Sequence, residues 1–372
     1  MAKVSNVKES KKILIVGPNP DDPTRNGGVA KYMEYLEFVA RDWKCGVVFQ
    51  HTDIGFFSKI GAVRVGRVLA TLRVSLKLIF AKKIRLIHVN CTLSKVGVFR
   101  VLPLLICSFI AKKPCFLQVH GGRWSRLENS RFPSAAWRFA FTLSSAVGVF
   151  PGIQLEELEP IETLAGKLYP IRNFVEPKEL KVPSNSKGFN FIFVGRLVKE
   201  KGIRELLQAF SRLRTIAGAN VHMTILGSGP LLGFVEESRY NGVDAKGHVE
   251  ASAVSSYLDS ADAFVLPSYH EGFPLSFLEA GAKGVVPIVT NSSALPSFFN
   301  HEVDCIFVSP KNIDDLYLAM KRIYEDTDFR RNISNNIYKH INEGFVIGSE
   351  PVTRQFIEIY STLLGEKVGS HG

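Results

Sequence analysis

The chain has 372 residues, 46% of them hydrophobic and 22% charged, with a formal net charge of +11; this is enough for two ordinary domains, each with its own core. Its five cysteines (Cys45, Cys91, Cys107, Cys115, Cys305) form no C-x-x-C pair and have no close histidine partner, which argues against a zinc site or a disulfide framework and for a reducing cytoplasm. The first dozen residues are polar, and the longest apolar run, 101–111 between Arg100 and Lys112, is too short to span a bilayer, so a soluble protein or one attached to a membrane surface is expected.

Strand and helix patterns alternate along almost the whole chain. KKILIVGP (11–18) reads as a buried strand ending in Gly-Pro, followed by a loop rich in Asp, Asn and Gly and a helix from about Val29. Strands follow near 47–50, 86–90, 116–120 and 147–150, separated by helical or mixed stretches. Short β-rich runs between helices imply parallel βαβ units. At 176–188 the text becomes EPKELKVPSNSKG, a linker by composition. A second alternation begins at once with FNFIFVG, a helix from Ile203, VHMTILG, a strand at 243–247, DAFVLPS, GVVPIVT and CIFV. Helices at 312–343 and 351–364 close the chain. Two doubly wound domains are predicted, residues 1–180 and 188–345, with ligands where strand C-termini meet helix N-termini. Residues 346–372 are expected to form a helix returning toward the first domain.

Charge is unevenly distributed. Residues 1–186 carry 28 Lys and Arg against 14 Asp and Glu, and between Asp53 and Glu128 there are fourteen cations and no acid. Such a stretch sets up a positive field. It reads as a solvated basic face, or as a surface for an anionic membrane or an anionic acceptor. No helix-turn-helix, zinc finger or ribonucleoprotein motif accompanies it, so nucleic acid is not an expected partner.

The chemistry-bearing text lies in the second half. FVGRLVKEKG (193–202) places Gly195, Arg196 and Lys201 between a buried strand and a helix, where two cations beside the positive end of a helix suit a diphosphate. PSYHEGFPLSFLEAGAKG (267–284) sets Glu271 and Glu279 eight residues apart, with Gly272, Phe273, Pro274 and Leu275 at a helix start. Backbone N–H groups there can meet an anion or sugar hydroxyls, and a carboxylate one turn into the helix can accept both hydrogens of a ribose diol.

GRLVKEKG followed by EGFPLSFLEA resembles the family 4 retaining glycosyltransferases (glycosyl transferases group 1), most sharply from 191 to 287. The resemblance implies the GT-B fold: α/β, two Rossmann-like doubly wound parallel-sheet domains facing a central cleft. It implies that Arg196 and Lys201 neutralise the diphosphate of a nucleotide-sugar, that Glu279 holds the ribose, and that Glu271 with the backbone of Gly272 to Pro274 orients the sugar and β-phosphate. By the same resemblance Gly227 and Gly229 of GSGP lie near the nucleotide, and the backbone at Gly247, His248 and Val249 reads the base. In the first domain, Asn26-Gly27-Gly28-Val29 resembles the family's glycine-rich loop, where the backbone approaches a phosphate or acceptor. His120 matches a histidine near the reacting sugar. Asn173 matches a Pro-Asn-Gly segment whose Pro and Gly are here Arg172 and Phe174.

No DxD-like pair ends a strand, so neither a metal nor a cofactor is expected, and Lys and Arg take the role of charge stabilisers. The implied reaction is retaining transfer from a nucleotide-sugar, UDP being the commonest donor in the family. The expected acceptor is lipid-linked or glycan, in assembly of a bacterial polysaccharide or lipopolysaccharide at the cytoplasmic face of the inner membrane. An epimerase or phosphorylase on the same fold, which needs no acceptor or needs inorganic phosphate, remains open, as does a non-catalytic glycan-binding scaffold.

Overall fold

The computed structural model describes residues 12–19, 28–41, 43, 46–51, 75–76, 81–95, 97–180, 188–237 and 242–366. The chain divides into two compact units. Unit 1 comprises residues 1–172 and the C-terminal segment 350–372, and unit 2 comprises 173–349.

Unit 1 is built on a parallel sheet of six strands, β1 (Lys12–Gly17), β2 (Gly46–His51), β3 (Ile84–Cys91), β4 (Cys115–Val119), β5 (Ala146–Val149) and β6 (Leu168–Pro170). They are arranged in the order β2-β1-β3-β4-β5-β6. Residues such as Ile13, Ile15, Leu86, Ile87, Phe116 and Leu117 are fully or almost fully buried, as both faces of a parallel sheet require when crossover helices cover them. The order reverses direction between β1 and β3, the switch point of a flavodoxin-like sheet. The C-terminal helix Glu350–Leu364 completes this unit: Tyr360 Oη lies 2.7 Å from His88 Nδ1 on β3, and Phe356 and Tyr360 pack on Trp43.

Unit 2 carries β7 (Phe189–Val194), β8 (Val221–Leu226), β9 (Val243–Gly247), β10 (Ala263–Leu266), β11 (Val286–Thr290) and β12 (Ile306–Val308) in the order β12-β11-β10-β7-β8-β9, all parallel. Counted from its own first strand this is the 3-2-1-4-5-6 order of a dinucleotide-binding fold, with its switch point between β7 and β10. Phe191, Phe193, Phe210, Phe264 and Phe277 fill its core.

One expected helix is two. The stretch 312–343 breaks at Asp326, whose carboxylate accepts from the Phe329 N–H and so caps a new helix, Thr327–Gly344, after Ile313–Glu325. A hydrophobic period running through both halves hides this break, which is made by a single extended residue, Asp326.

Candidate active site

In unit 2 the loops after β7 and β10 flank the switch point and are bonded to each other. Tyr269 donates its backbone N–H to the Glu200 carbonyl at 2.8 Å. Gly202 has a φ of 67°, and a Cβ on it would lie 2.1 Å from the Pro267 carbonyl oxygen; only glycine allows both the left-handed turn and the close approach. This contact delivers Lys201 to Glu271: the Lys201 ammonium donates to Glu271 Oε1, and both side chains are largely buried. Ser268 Oγ donates to the same oxygen at 2.7 Å, and the Glu271 N–H donates to the Ser292 carbonyl at 3.1 Å. The carboxylate is therefore held by two donors, one of them from the β7 loop, while the backbone of the same residue is tied to the loop after β11. Tyr269 Oη donates to Glu205 Oε1 at 2.7 Å, and burial together with that carboxylate pushes the phenol up to about 12, so it stays a donor.

The glycine turn after β8 closes onto the same region. The Leu197 N–H donates to the Ser228 carbonyl at 2.9 Å, and the Leu231 N–H donates to the Leu197 carbonyl at 3.0 Å. Gly227 has a φ of 151°, and a Cβ there would meet the Gly195 carbonyl oxygen at 1.8 Å. The Gly227 N–H in turn donates to the carbonyl of Gly247 at the end of β9, at 2.7 Å. Gly195, Gly227, Gly229 and the entry to His248 and Val249 are thus one connected set of strand ends. The His248 side chain is exposed, with Nε2 3.5 Å from Glu250 Oε1. Arg196 is exposed on the β7 loop.

On the β10 side, Pro274 precedes the helix Leu275–Gly281 in an extended conformation. Phe273, Leu275, Phe277 and Leu278 are buried, and Glu279 is half-buried on that helix. The Gly272 carbonyl accepts from the Ala294 N–H at 2.9 Å. Asn173 holds this turn from a distance in sequence: its buried side-chain amide donates to the Phe273 carbonyl at 2.6 Å. Ser268, Ser292 and Gly202 are the contributions that sequence reasoning did not assign; Asn173 was named only by its resemblance to the Pro-Asn-Gly segment. The S-x-x-E spacing of Ser268 to Glu271 was the one local signal for them.

In unit 1, His120 follows β4, beside the β1/β3 switch point. It is buried, with Nε2 2.8 Å from Asn90 Oδ1 and its ring 4.4 Å from that of Tyr32. Burial lowers its pKa to about 3, so the ring is neutral, Nε2–H donates to Asn90 and Nδ1 keeps its lone pair. Gly28 opens the helix Gly28–Ala40 and is exposed; Asn26 and Gly27 lie outside the described residues. An open depression of about 740 Å³ lies at the starts of β7, β8 and β9, lined by Asn190, His222, Thr224 and Asp244. That is the opposite end of the strands from the charged loops, and it contains none of the residues singled out by sequence.

Residues 176–340 match the model for glycosyl transferases group 1. An uncharacterized glycosyltransferase of Methanocaldococcus jannaschii is 32% identical over 174 residues, 45% of this chain and 44% of that protein. A capsular polysaccharide biosynthesis glycosyltransferase, CapM of Staphylococcus aureus, is 29% identical over 187 residues, 48% of each chain. The chain thus spans about half the length of the curated relatives it matches. The crystal structure of Anabaena HepE in complex with UDP and glucose superimposes with a TM-score of 0.71 at 16% identity, over 95% of this chain and 100% of that one, a likeness of fold. The chain has the GT-B fold, and its segment 176–340 is similar to the glycosyl transferases group 1.

Proposed function

We propose that this chain is a retaining glycosyltransferase, which transfers a sugar from a UDP-sugar to a lipid-linked or glycan acceptor during assembly of a bacterial surface polysaccharide. The observation that carries the reading is the meeting of Lys201 and Glu271 at the switch point of a sheet ordered as in dinucleotide-binding proteins. Lys201 and Arg196 take the diphosphate, Glu279 the ribose, and Glu271 the sugar hydroxyls, with the backbone from Gly272 to Pro274 orienting the β-phosphate. The loop set of Gly195, Gly227 and Gly229 brings backbone within reach of the nucleotide, with His248 and Val249 at its edge.

In the reaction, the bond between the anomeric carbon and the β-phosphate oxygen breaks as the acceptor oxygen bonds to that carbon from the same face. The acceptor proton passes to the leaving phosphate. Charge accumulates on the diphosphate as it departs, and Lys201 and Arg196 stabilise it there without a metal ion. Neutral His120 supplies an acceptor at Nδ1 for a sugar hydroxyl rather than a proton to the leaving group. The relative from Staphylococcus aureus, named for capsular polysaccharide biosynthesis, supports the pathway class. No helix among the described residues is long and apolar enough to cross a membrane, and we place the protein peripherally at the cytoplasmic membrane face, through its basic first unit.

The test is a panel of UDP-, GDP- and ADP-sugars, followed for release of nucleoside diphosphate with and without a membrane extract. Release from one donor that requires the extract is the expected result. If no donor is consumed under either condition and no nucleoside diphosphate raises the Tm, the reading is wrong.

A further inference from the structure

Two neighbouring helices of unit 1 expose large apolar side chains on the side that faces away from the sheet. Gly97–Ile110 joins β3 to β4 and Arg131–Leu143 lies between β4 and β5. Right-handed crossovers between consecutive strands put both on the same face of the sheet, and the two helices pack side by side. The first buries Val98, Val101, Leu104 and Leu105 against the core but leaves Phe99, Ile106, Phe109 and Ile110 exposed. The second buries Trp137, Ala140 and Phe141, while Phe132 and Phe139, seven residues apart and opposite that core edge, stand in solvent. The exposures are 77% for Phe132, 65% for Phe109 and 59% for Ile110.

A surface helix normally presents polar residues on its outer side, and one that is apolar all round is covered by something. What covers this one is specified by its border. Lys112 directly follows the exposed end of the first helix, and Arg131 and Arg138 sit among the exposed phenylalanines of the second. The helix Gly97–Ile110 has no acidic residue, and between Asp53 and Glu128 there is none. Aromatic and aliphatic side chains bordered by Lys112, Arg131 and Arg138, with the exposed Glu128 as the nearest acid along the chain, match the headgroup and acyl boundary of an anionic bilayer. A second copy of the chain would bring the same cations face to face.

We infer that the outer face of helices Gly97–Ile110 and Arg131–Leu143 is a membrane-docking surface for anionic lipid. Phe99, Ile106, Phe109, Ile110, Phe132 and Phe139 enter the interface, and Lys112, Arg131 and Arg138 contact the headgroups. This deepens the peripheral location proposed above and rests on that part of the reading, not on the donor chemistry.

The experiment is flotation with vesicles of phosphatidylglycerol and phosphatidylcholine, or of phosphatidylcholine alone, at low salt. The proteins are the full chain, a Phe109→Ser/Ile110→Ser/Phe132→Ser variant and a Lys112→Glu/Arg131→Glu variant. All substituted side chains are exposed, so Tm and UDP-induced stabilisation should match the wild type. The wild type is expected to float with anionic vesicles only, and each variant to need at least about tenfold more lipid. If the wild type floats and both variants float equally, the assigned face is wrong while the peripheral location stands. If the wild type stays in solution with both vesicle types, both fail. A dimer in sedimentation velocity that the phenylalanine variant dissociates, without vesicle binding, would replace the lipid with a second copy.

Discussion

At Lys201 the charge we propose to meet a diphosphate already has a carboxylate partner. The ammonium and Glu271 are both largely withdrawn from water, so each holds the other in place; on the proposed reading an incoming phosphate oxygen competes for Lys201 while Glu271 turns to hydroxyls. Lys201→Ala removes the positive charge and leaves Glu271 to repel the ligand. We expect catalytic turnover to fall by roughly 10²–10³ and UDP-induced stabilisation to vanish, while Glu271→Gln keeps UDP binding but loses turnover. Steady-state kinetics and thermal shifts with UDP decide this; turnover unchanged in Lys201→Ala would remove the residue from the mechanism. Gly202 supports the pair through its backbone. Because a Cβ would sit 2.1 Å from the Pro267 carbonyl oxygen at a φ of 67°, Gly202→Ala should cost about 1–3 kcal/mol and lower both Tm and donor affinity. A Tm equal to that of the wild type would show that the two loops can part without loss.

At the scale of elements, the strands of unit 2 were legible because each is a short apolar run between turn residues, and FNFIFVG leads directly into the charged loop. The glycines of GSGP were legible as a turn, but their reason was not: the Gly195 and Leu197 carbonyls that exclude a side chain there come from another strand end. The pairing of Lys201 with Glu271 spans seventy residues and follows from strand order, which spacing does not encode. His120 was legible as a strand-end residue, whereas its burial depends on Tyr32 and Phe150 packing from elsewhere. Asn173 shows the same limit. Its neighbours depart from the family pattern, yet its amide reaches the Phe273 carbonyl, and Val175 beside it bridges to Val346 while Phe345 packs on Phe273. The turn carrying Glu271 is thus held by two distant segments. Asn173→Ala should weaken UDP binding about tenfold, with a loss of about 1–2 kcal/mol of stability. A calorimetric titration showing wild-type affinity beside a lowered Tm would make Asn173 structural only.

At the scale of the whole molecule, the two units differ in how acid reaches them. Unit 1 encloses a polar line in its core: Tyr360 donates to His88 Nδ1, His88 Nε2–H donates to Gln118 Oε1, and Tyr32 donates to the same oxygen. Burial holds the pKa of His88 at about 3, with the neighbouring His120 lowering it further, and burial alone holds His120 at about 3, against 6.5 when unfolded. Between pH 6.5 and 3 the unfolded chain therefore binds protons that the folded unit does not. Stability from these two groups is complete above pH 6.5 and is lost as pH falls through that window, by at most about 1.4 kcal/mol per pH unit for each. Thermal unfolding from pH 7.5 to 4.5, followed by hydrogen exchange to separate the units, should show unit 1 weakening first. The exchange of β3 and β4 amides should accelerate before that of β7 and β10. A His88→Gln protein should be less stable at pH 7.5, where Tyr360 and Gln118 lose a partner, but its loss per pH unit should be shallower than in the wild type. If the slope is the same in both proteins, His88 does not carry the acid sensitivity and the line from Tyr360 to Gln118 serves packing alone.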